Sequence, residues 1–304
     1  MKKIQDNLHY FEHSLKHPEP IWDEHFYPFL ESIVEKKEYG NIQYLENYIA
    51  KISFKLKNKE IKTLLNLLER KGCEKSYFAF FLRTCDLSAA EVISPEYYNL
   101  PERIDVIRKA LAIYRKRRNN PKTDKYSLQA YNDAQTAKRR SDAGEKKVIE
   151  LSRLPLAKNL FDLNKKIAKI SRSKGEFKMK DIKKKFGIRF SFSKKGKVPD
   201  CIFRIEDKLF ILEAKHVNGQ GGAQNSSISE LVSILELKEK NPSISYISFL
   251  DGCYTKYLTV SESNKNGTMP EKQRHRIEET LKKNKKNYFV NTAGLIQLMN
   301  DLKE

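Results

Sequence analysis

Val198-Pro199-Asp200-Cys201-Ile202-Phe203-Arg204-Ile205, then Glu206-Asp207, then Lys208-Leu209-Phe210-Ile211-Leu212-Glu213-Ala214-Lys215 run consecutively in this chain. Two segments rich in β-branched and aromatic residues flank a polar pair, which is a strand–turn–strand pattern. With Glu206-Asp207 as a two-residue hairpin loop, Ile205 pairs with Lys208 and Asp200 lands directly opposite Glu213. Cross-strand neighbours of this kind hold their Cβ atoms about 4.5–5.5 Å apart. Lys215, two residues beyond Glu213, points to the same face. A four-residue loop keeps this parity, whereas a three-residue loop sends Asp200 to the opposite face.

Two carboxylates this close repel unless a cation lies between them. Mg²⁺ suits the pair, because it takes oxygen ligands and typically uses one or two protein carboxylates with water and phosphate. Such a metal polarises a scissile phosphate and lowers the pKa of a bound water. Lys215 is placed to orient or activate that water and to offset charge in the transition state. The backbone carbonyl of Ala214 is a candidate further ligand. The catalytic expectation is therefore Asp200, Glu213 and Lys215, with Asp200, Glu213 and the Ala214 carbonyl on Mg²⁺. The competing reading is a plain β-hairpin with exposed charges.

Pro199-Asp200 followed by Glu213-Ala214-Lys215 resembles the signature of the PD-(D/E)XK nucleases. Within that superfamily the chain is most similar to bacterial type II restriction endonucleases, some of which carry the form Glu213-Ala214-Lys215-His216. Several also have a Gly- and Gln-containing segment like Gly219-Gln220-Gly221-Gly222-Ala223-Gln224-Asn225. The resemblance spans roughly residues 140–300. It implies an α/β fold with a restriction-endonuclease-like αβββαβ core, a mixed sheet flanked by helices, here with an N-terminal helical extension. It also implies Mg²⁺-dependent hydrolysis of double-stranded DNA at a short specific sequence, leaving 5′-phosphate and 3′-hydroxyl ends. The expected partners are duplex DNA, a cognate methyltransferase that protects host DNA, and a second copy of the chain if the site is palindromic. Many such nucleases carry an acid on the first core helix that helps hold the metal. Glu145 is the candidate, on the inward face with Val148 and Ile149, and Glu150 is the alternative. Two other readings stay open: a structure-specific repair or junction nuclease, and a DNA-binding protein whose nuclease fold is inactive.

Composition supports a polyanionic partner. The formal net charge is +20. Residues 1–110 hold 17 Lys/Arg and 17 Asp/Glu, leaving 42 and 22 in residues 111–304, so the excess lies with the motif. Local positive charge attracts a polyanion and speeds encounter. No apolar run is long enough to span a bilayer, and the first residues lack the apolar stretch of a secretory signal. The expected compartment is a prokaryotic cytoplasm. Cys73, Cys85, Cys201 and Cys253 are scattered without metal-ligand spacing and read as free thiols. On a strand, Cys201 faces away from Asp200, into the core.

Three segments follow along the chain. Residues 1–110 read as a helical domain for recognition, dimerisation or buttressing, with Ile61, Leu64, Leu65 and Leu68 at helical spacing. Residues 111–140 read as a basic DNA-contacting segment or a linker, with nine Lys/Arg against two Asp from 113 to 140. Its candidate phosphate contacts are Arg115, Lys116, Arg117, Arg118, Lys138, Arg139 and Arg140. Residues 141–304 read as the nuclease core. There a helix capped by Ser141 or Asp142 leads to a first strand over Phe186–Phe192. A turn then carries Lys194, Lys195 and Lys197 beside Asp200. The loop from Val217 to Gln224 has glycines that admit phosphate. Asn218, Gln220, Gln224 and Asn225 have amides suited to base edges. A helix over Ser226–Leu237, a buried strand over Ile244–Leu250, a turn at Asp251-Gly252, a short strand at Tyr288–Val290 and a last helix capped by Thr292 complete the reading.

Overall fold

The computed structural model describes residues 4–19, 25, 57–69, 100–118, 143–170, 177–188 and 198–303. The chain divides into two compact units, Met1–Pro20 with Asp142–Glu304, and Ile21–Ser141.

Helix α1 (Asn7–Lys16) is capped by Asp6, whose side chain accepts from Leu8 N. It belongs to the first unit rather than to a helical domain over residues 1–110. The reason lies in its side chains. Asn7 Nδ2 donates to the carbonyls of Leu281, Asn284 and Asn287, and Tyr10 donates to Asp301 Oδ2 at 2.9 Å. In the second unit, α2 (Asn58–Glu69) packs on α3 (Leu100–Arg118). Ile61 and Leu65 are fully buried, as are Ile107 and Leu111. Helix α3 runs unbroken through Arg115–Arg118, so the basic run begins as a helix end and not as a linker. Lys138, Arg139 and Arg140 lie outside the described residues, as do Lys194, Lys195 and Lys197.

The first unit is a mixed α/β layer structure. Its elements are α4 (Ala143–Ser152), a 3₁₀ turn at Leu160–Asp162, β1 (Lys166–Lys169), α5 (Met179–Phe186), β2 (Cys201–Ile205) and β3 (Lys208–His216). Then come α6 (Gly222–Leu235), β4 (Ile244–Asp251), α7 (Thr255–Val260), α8 (Met269–Lys283), β5 (Tyr288–Val290) and α9 (Thr292–Lys303). The sheet order is β1-β2-β3-β4-β5. The first two pairings are antiparallel and the last two parallel.

The β2–β3 register is the one the two-residue loop dictates: Ile205 faces Lys208 and Cys201 faces Leu212. Glu206 in the turn takes φ 53°. One sheet face packs on α1, α4 and α9. Phe203, Phe210 and Leu212 meet Tyr10, Val148, Leu295 and Leu298 there, and Cys201 is among them, fully buried. Phe203 and Phe210 stack with centroids 4.9 Å apart. Helix α6 covers the other face and accepts a hydrogen bond at Leu231 O from Ser248 Oγ of β4.

Three boundaries differ from the sequence reading. Among the described residues the first strand is Lys166–Lys169, and Phe186 ends α5, while residues 189–192 of the expected strand lie outside the described residues. Met179 and Ile182 bury one helical face, and Gly187 at φ 68° closes the helix with its N–H on Lys183 O. Helix α6 starts at Gly222, inside the glycine segment, because Asn225 N already reaches Gly221 O at 2.8 Å. Helix α9 is capped by Asn291, whose Oδ1 accepts from Gly294 N, and not by Thr292.

Candidate functional site

The hairpin places the carboxylates. The β2–β3 ladder ends at Cys201–Leu212, one step short of the expected Asp200–Glu213 pair, and Asp200, just ahead of β2, donates its N–H to Leu212 O at 3.0 Å. Its Oδ2 accepts from Ala214 N at 2.7 Å. In an extended strand the N–H and C=O of one residue project to the same side. The Ala214 carbonyl therefore faces the same edge as Asp200. Glu213 and Lys215 share the α6 side of β3, by alternation from Leu212 on the other face.

Burial and charge are unevenly matched at this point. Glu213 is 4% exposed, and its Oε2 has no hydrogen-bond partner among the described residues. Its other oxygen pairs with Lys215 Nζ, which also lies 3.5 Å from Glu230 Oε1 on α6. Burial pushes the Glu213 carboxyl up to about 7, with Asp200 adding repulsion and Lys215 opposing it. Burial likewise pushes Asp200 up to about 6, against the Ala214 N–H and the Lys215 charge and with Glu145 adding to the rise. Burial alone would lower Lys215, but Glu213, Glu230 and Asp200 outweigh it and raise the ammonium above its usual value. Lys215 thus faces Glu213, Asp200 and Glu230, and Lys169 of β1 adds a second positive charge near Asp200. Neighbours that each resist ionisation are left short of positive charge, unlike the members of a satisfied ion-pair network.

The donor set fits Mg²⁺. Two carboxylates and a carbonyl are hard oxygen donors, and an octahedral ion completes its shell with water and phosphate. Among the described residues no group of three or more His, Cys, Asp and Glu side chains is arranged as a metal site. The smaller set here is of the kind that leaves positions for substrate. Glu145 sits in the first turn of α4 and pairs with Lys169 of β1. It is electrostatically close to Asp200, as the rise in that carboxyl records. Glu150 is exposed on the same helix.

The amides after β3 are used unevenly. Asn218 spends its side chain internally, with Nδ2 2.8 Å from His216 Nε2 and Oδ1 accepting from Cys253 N. Asn225 Oδ1 accepts from Gln273 Nε2. Gln220 Nε2 is buried without a partner. Gln224 Oε1 lies 2.9 Å from where a Cβ on Gly221 would stand. At φ 145° that position favours glycine twice over.

Sequence reasoning missed Lys169 and Glu230, which face the site from β1 and α6. It also missed the buried ions behind it. Lys147 Nζ lies 2.6 Å from Asp251 Oδ1 and 3.5 Å from Glu19 Oε2, and His216 Nδ1 lies 2.8 Å from Asp251 Oδ2. Lys169 stood in a strand too short and too polar to be read. The Lys147 partners are more than a hundred residues away in sequence.

The chain matches no protein-family model, no curated protein and no solved structure.

Proposed function

We propose that this protein is a Mg²⁺-dependent endonuclease of the PD-(D/E)XK type, hydrolysing duplex DNA at a short specific sequence as type II restriction enzymes do. The observation that carries the reading is a buried Glu213, its Oε2 without a partner among the described residues and its other oxygen on Lys215, next to an Asp200 carboxylate held by Ala214 N–H. The order α4, β1, β2, β3, α6, β4, with α5 inserted, supports an αβββαβ core. The net charge of +20 supports a polyanionic substrate.

Asp200, Glu213 and the Ala214 carbonyl would hold the metal, with Glu145 at its rim. A bound divalent cation supplies positive charge to the scissile phosphate and to the attacking water. The chain's own residues do the rest. The Ala214 N–H fixes the Asp200 rotamer. Lys215, on the same face as Glu213, would orient the attacking water and offset charge on the non-bridging oxygens. Glu230 keeps the ammonium protonated while it does so. The α6 N-terminus and its glycines offer N–H groups to a phosphate. In the other unit, the basic residues Arg115–Arg118 end α3. Duplex DNA, a second copy of the chain and a protecting methyltransferase are the partners of this reading.

The test is incubation of the full chain with unmethylated phage DNA, with Mg²⁺ or EDTA, beside Lys215→Ala. The expected result is discrete Mg²⁺-dependent fragments with 5′-phosphate ends, and a rate lower by about 10²- to 10⁴-fold in the variant. Smears would favour a structure-specific nuclease. Salt-sensitive binding without any cleavage would leave only a DNA-binding protein.

A further inference from the structure

Among the described residues, the end of β3 that carries Lys215 has a strand on one side. The β2–β3 ladder stops at Cys201–Leu212, and beyond it Asp200 adds two bonds on that edge, from its N–H to Leu212 O and from Ala214 N to its Oδ2. β4 continues, with Lys215 across from Leu250 and His216 across from Asp251. Strand ends paired on one edge fray readily, yet a water-orienting lysine needs a fixed position.

A chain of side chains on the opposite face supplies the missing restraint. Glu19 Oε1 accepts from Thr292 N at 2.8 Å, and its Oε2 faces Lys147 Nζ. Lys147 donates to Asp251 Oδ1 at 2.6 Å, and Asp251 Oδ2 meets His216 Nδ1 at 2.8 Å. The side chains of Glu19, Lys147 and Asp251 are 3%, 1% and 2% exposed, so these bonds are made away from water. Asn218 closes the far end. Its Oδ1 is taken by Cys253 N, so its Nδ2 donates to His216 Nε2, and the ring donates from Nδ1 to Asp251. Gly252, at φ 85°, brings the turn so close that a Cβ there would lie 2.2 Å from Asn218 Oδ1 and 2.6 Å from Val217 O.

We infer that the buried chain Glu19–Lys147–Asp251–His216 positions Lys215 by fixing the one-sided end of β3. The catalytic consequence rests on the nuclease reading; the positional one does not. None of these four residues touches the reacting atoms, so they are positioning residues. Glu19 and Lys147 also lie within a few residues of Pro20 and Asp142, where the chain leaves and rejoins this unit. The anchor of the catalytic lysine is thus built from the segments that carry the other unit.

His216→Gln and Lys147→Met in the full chain test the inference, with two readouts. The first is kcat and KM for DNA cleavage in Mg²⁺. The second is the acetylation rate of Lys215 by a succinimidyl ester, read peptide by peptide without DNA or metal. His216→Gln should lower kcat by about 10²-fold with KM nearly unchanged, as a misplaced group does. Lys215 should acetylate several-fold faster while Lys303 does not change. Combining the two substitutions should add little to either, since both cut one chain. If Lys147→Met does not fold, the partly exposed His216 decides alone. Unchanged kcat and unchanged Lys215 labelling in folded His216→Gln would overturn the inference. Faster labelling in a protein that never cuts DNA would sustain it and remove the nuclease reading instead.

Discussion

Two buried carboxylates stand at the carboxyl ends of adjacent strands and meet opposite fates. Asp251, at the end of β4, is 1% exposed and Glu213, near the end of β3, is 4% exposed. Burial pushes both upward. At Asp251 the His216 and Lys147 contacts reverse that push and hold the carboxyl well below its usual range. At Glu213 the neighbouring Asp200 adds to it, and the one lysine does not reverse it. A carboxylate with its cations already in place is structural. One left short of positive charge in the same fold is a candidate for binding a cation, since such imbalance gathers at functional sites.

Removing these groups should therefore act with opposite sign, starting with the largest effect. Asp251→Ala removes the shorter Lys147 ion pair and the partner of His216 Nδ1, and should cost about 3–5 kcal/mol in a denaturant titration, as broken buried pairs do. A loss under about 1 kcal/mol would mean that Asp251 is no better satisfied than Glu213. Gly252→Ala drives a Cβ into Val217 O and Asn218 at a positive φ. It should cost about 1–3 kcal/mol by the same measurement. A neutral outcome would show that the Asn218 end of the chain gives way freely.

Asp200→Asn should do the reverse. A carboxyl raised in the folded state binds its proton more tightly there than in the unfolded chain. Its favourable effect is full below the unfolded value of 3.8 and is lost as pH rises through about 6. An asparagine keeps an acceptor for Ala214 N and has no charge to lose. Without metal, the variant should match the parent at pH 4 and exceed it at pH 8 by on the order of 1–2 kcal/mol. Mg²⁺ should raise the melting temperature of the parent at pH 8 and leave the variant's where it was. Equal stabilities at both pH values would mean that Asp200 is not undercompensated.

The hairpin was legible because period-two alternation and a two-residue turn leave one register, which holds from Ile205–Lys208 to Cys201–Leu212 and stops one step short of Asp200. The face of Cys201 followed from the same parity. Phe186 misled because an aromatic alternation over Phe186–Phe192 resembles a strand, while Met179, Ile182 and Phe186 also satisfy a helical period that Gly187 terminates. Strand β1 has only Ile167 and Ala168 between lysines, too little pattern to recognise. Thr292 looked like a cap because capping depends on which side chain reaches Gly294 N, and that is Asn291. The Lys147 chain was invisible for a different reason. A buried lysine looks like any other lysine until tertiary contacts bring Glu19 and Asp251 to it, and no local spacing encodes them. The segments 119–140 and 189–197, where most of the expected phosphate contacts fall, lie outside the described residues.

The claim that Asp200 and Glu213 are kept short of charge for a metal is tested most directly by titrating the full chain with Mn²⁺ at pH 8. Free ion is followed by electron paramagnetic resonance, for the parent and for Glu213→Gln. The account predicts one Mn²⁺ site in the parent, displaced by excess Mg²⁺ and absent from the variant. Equal binding by both chains, or none by either, would contradict it.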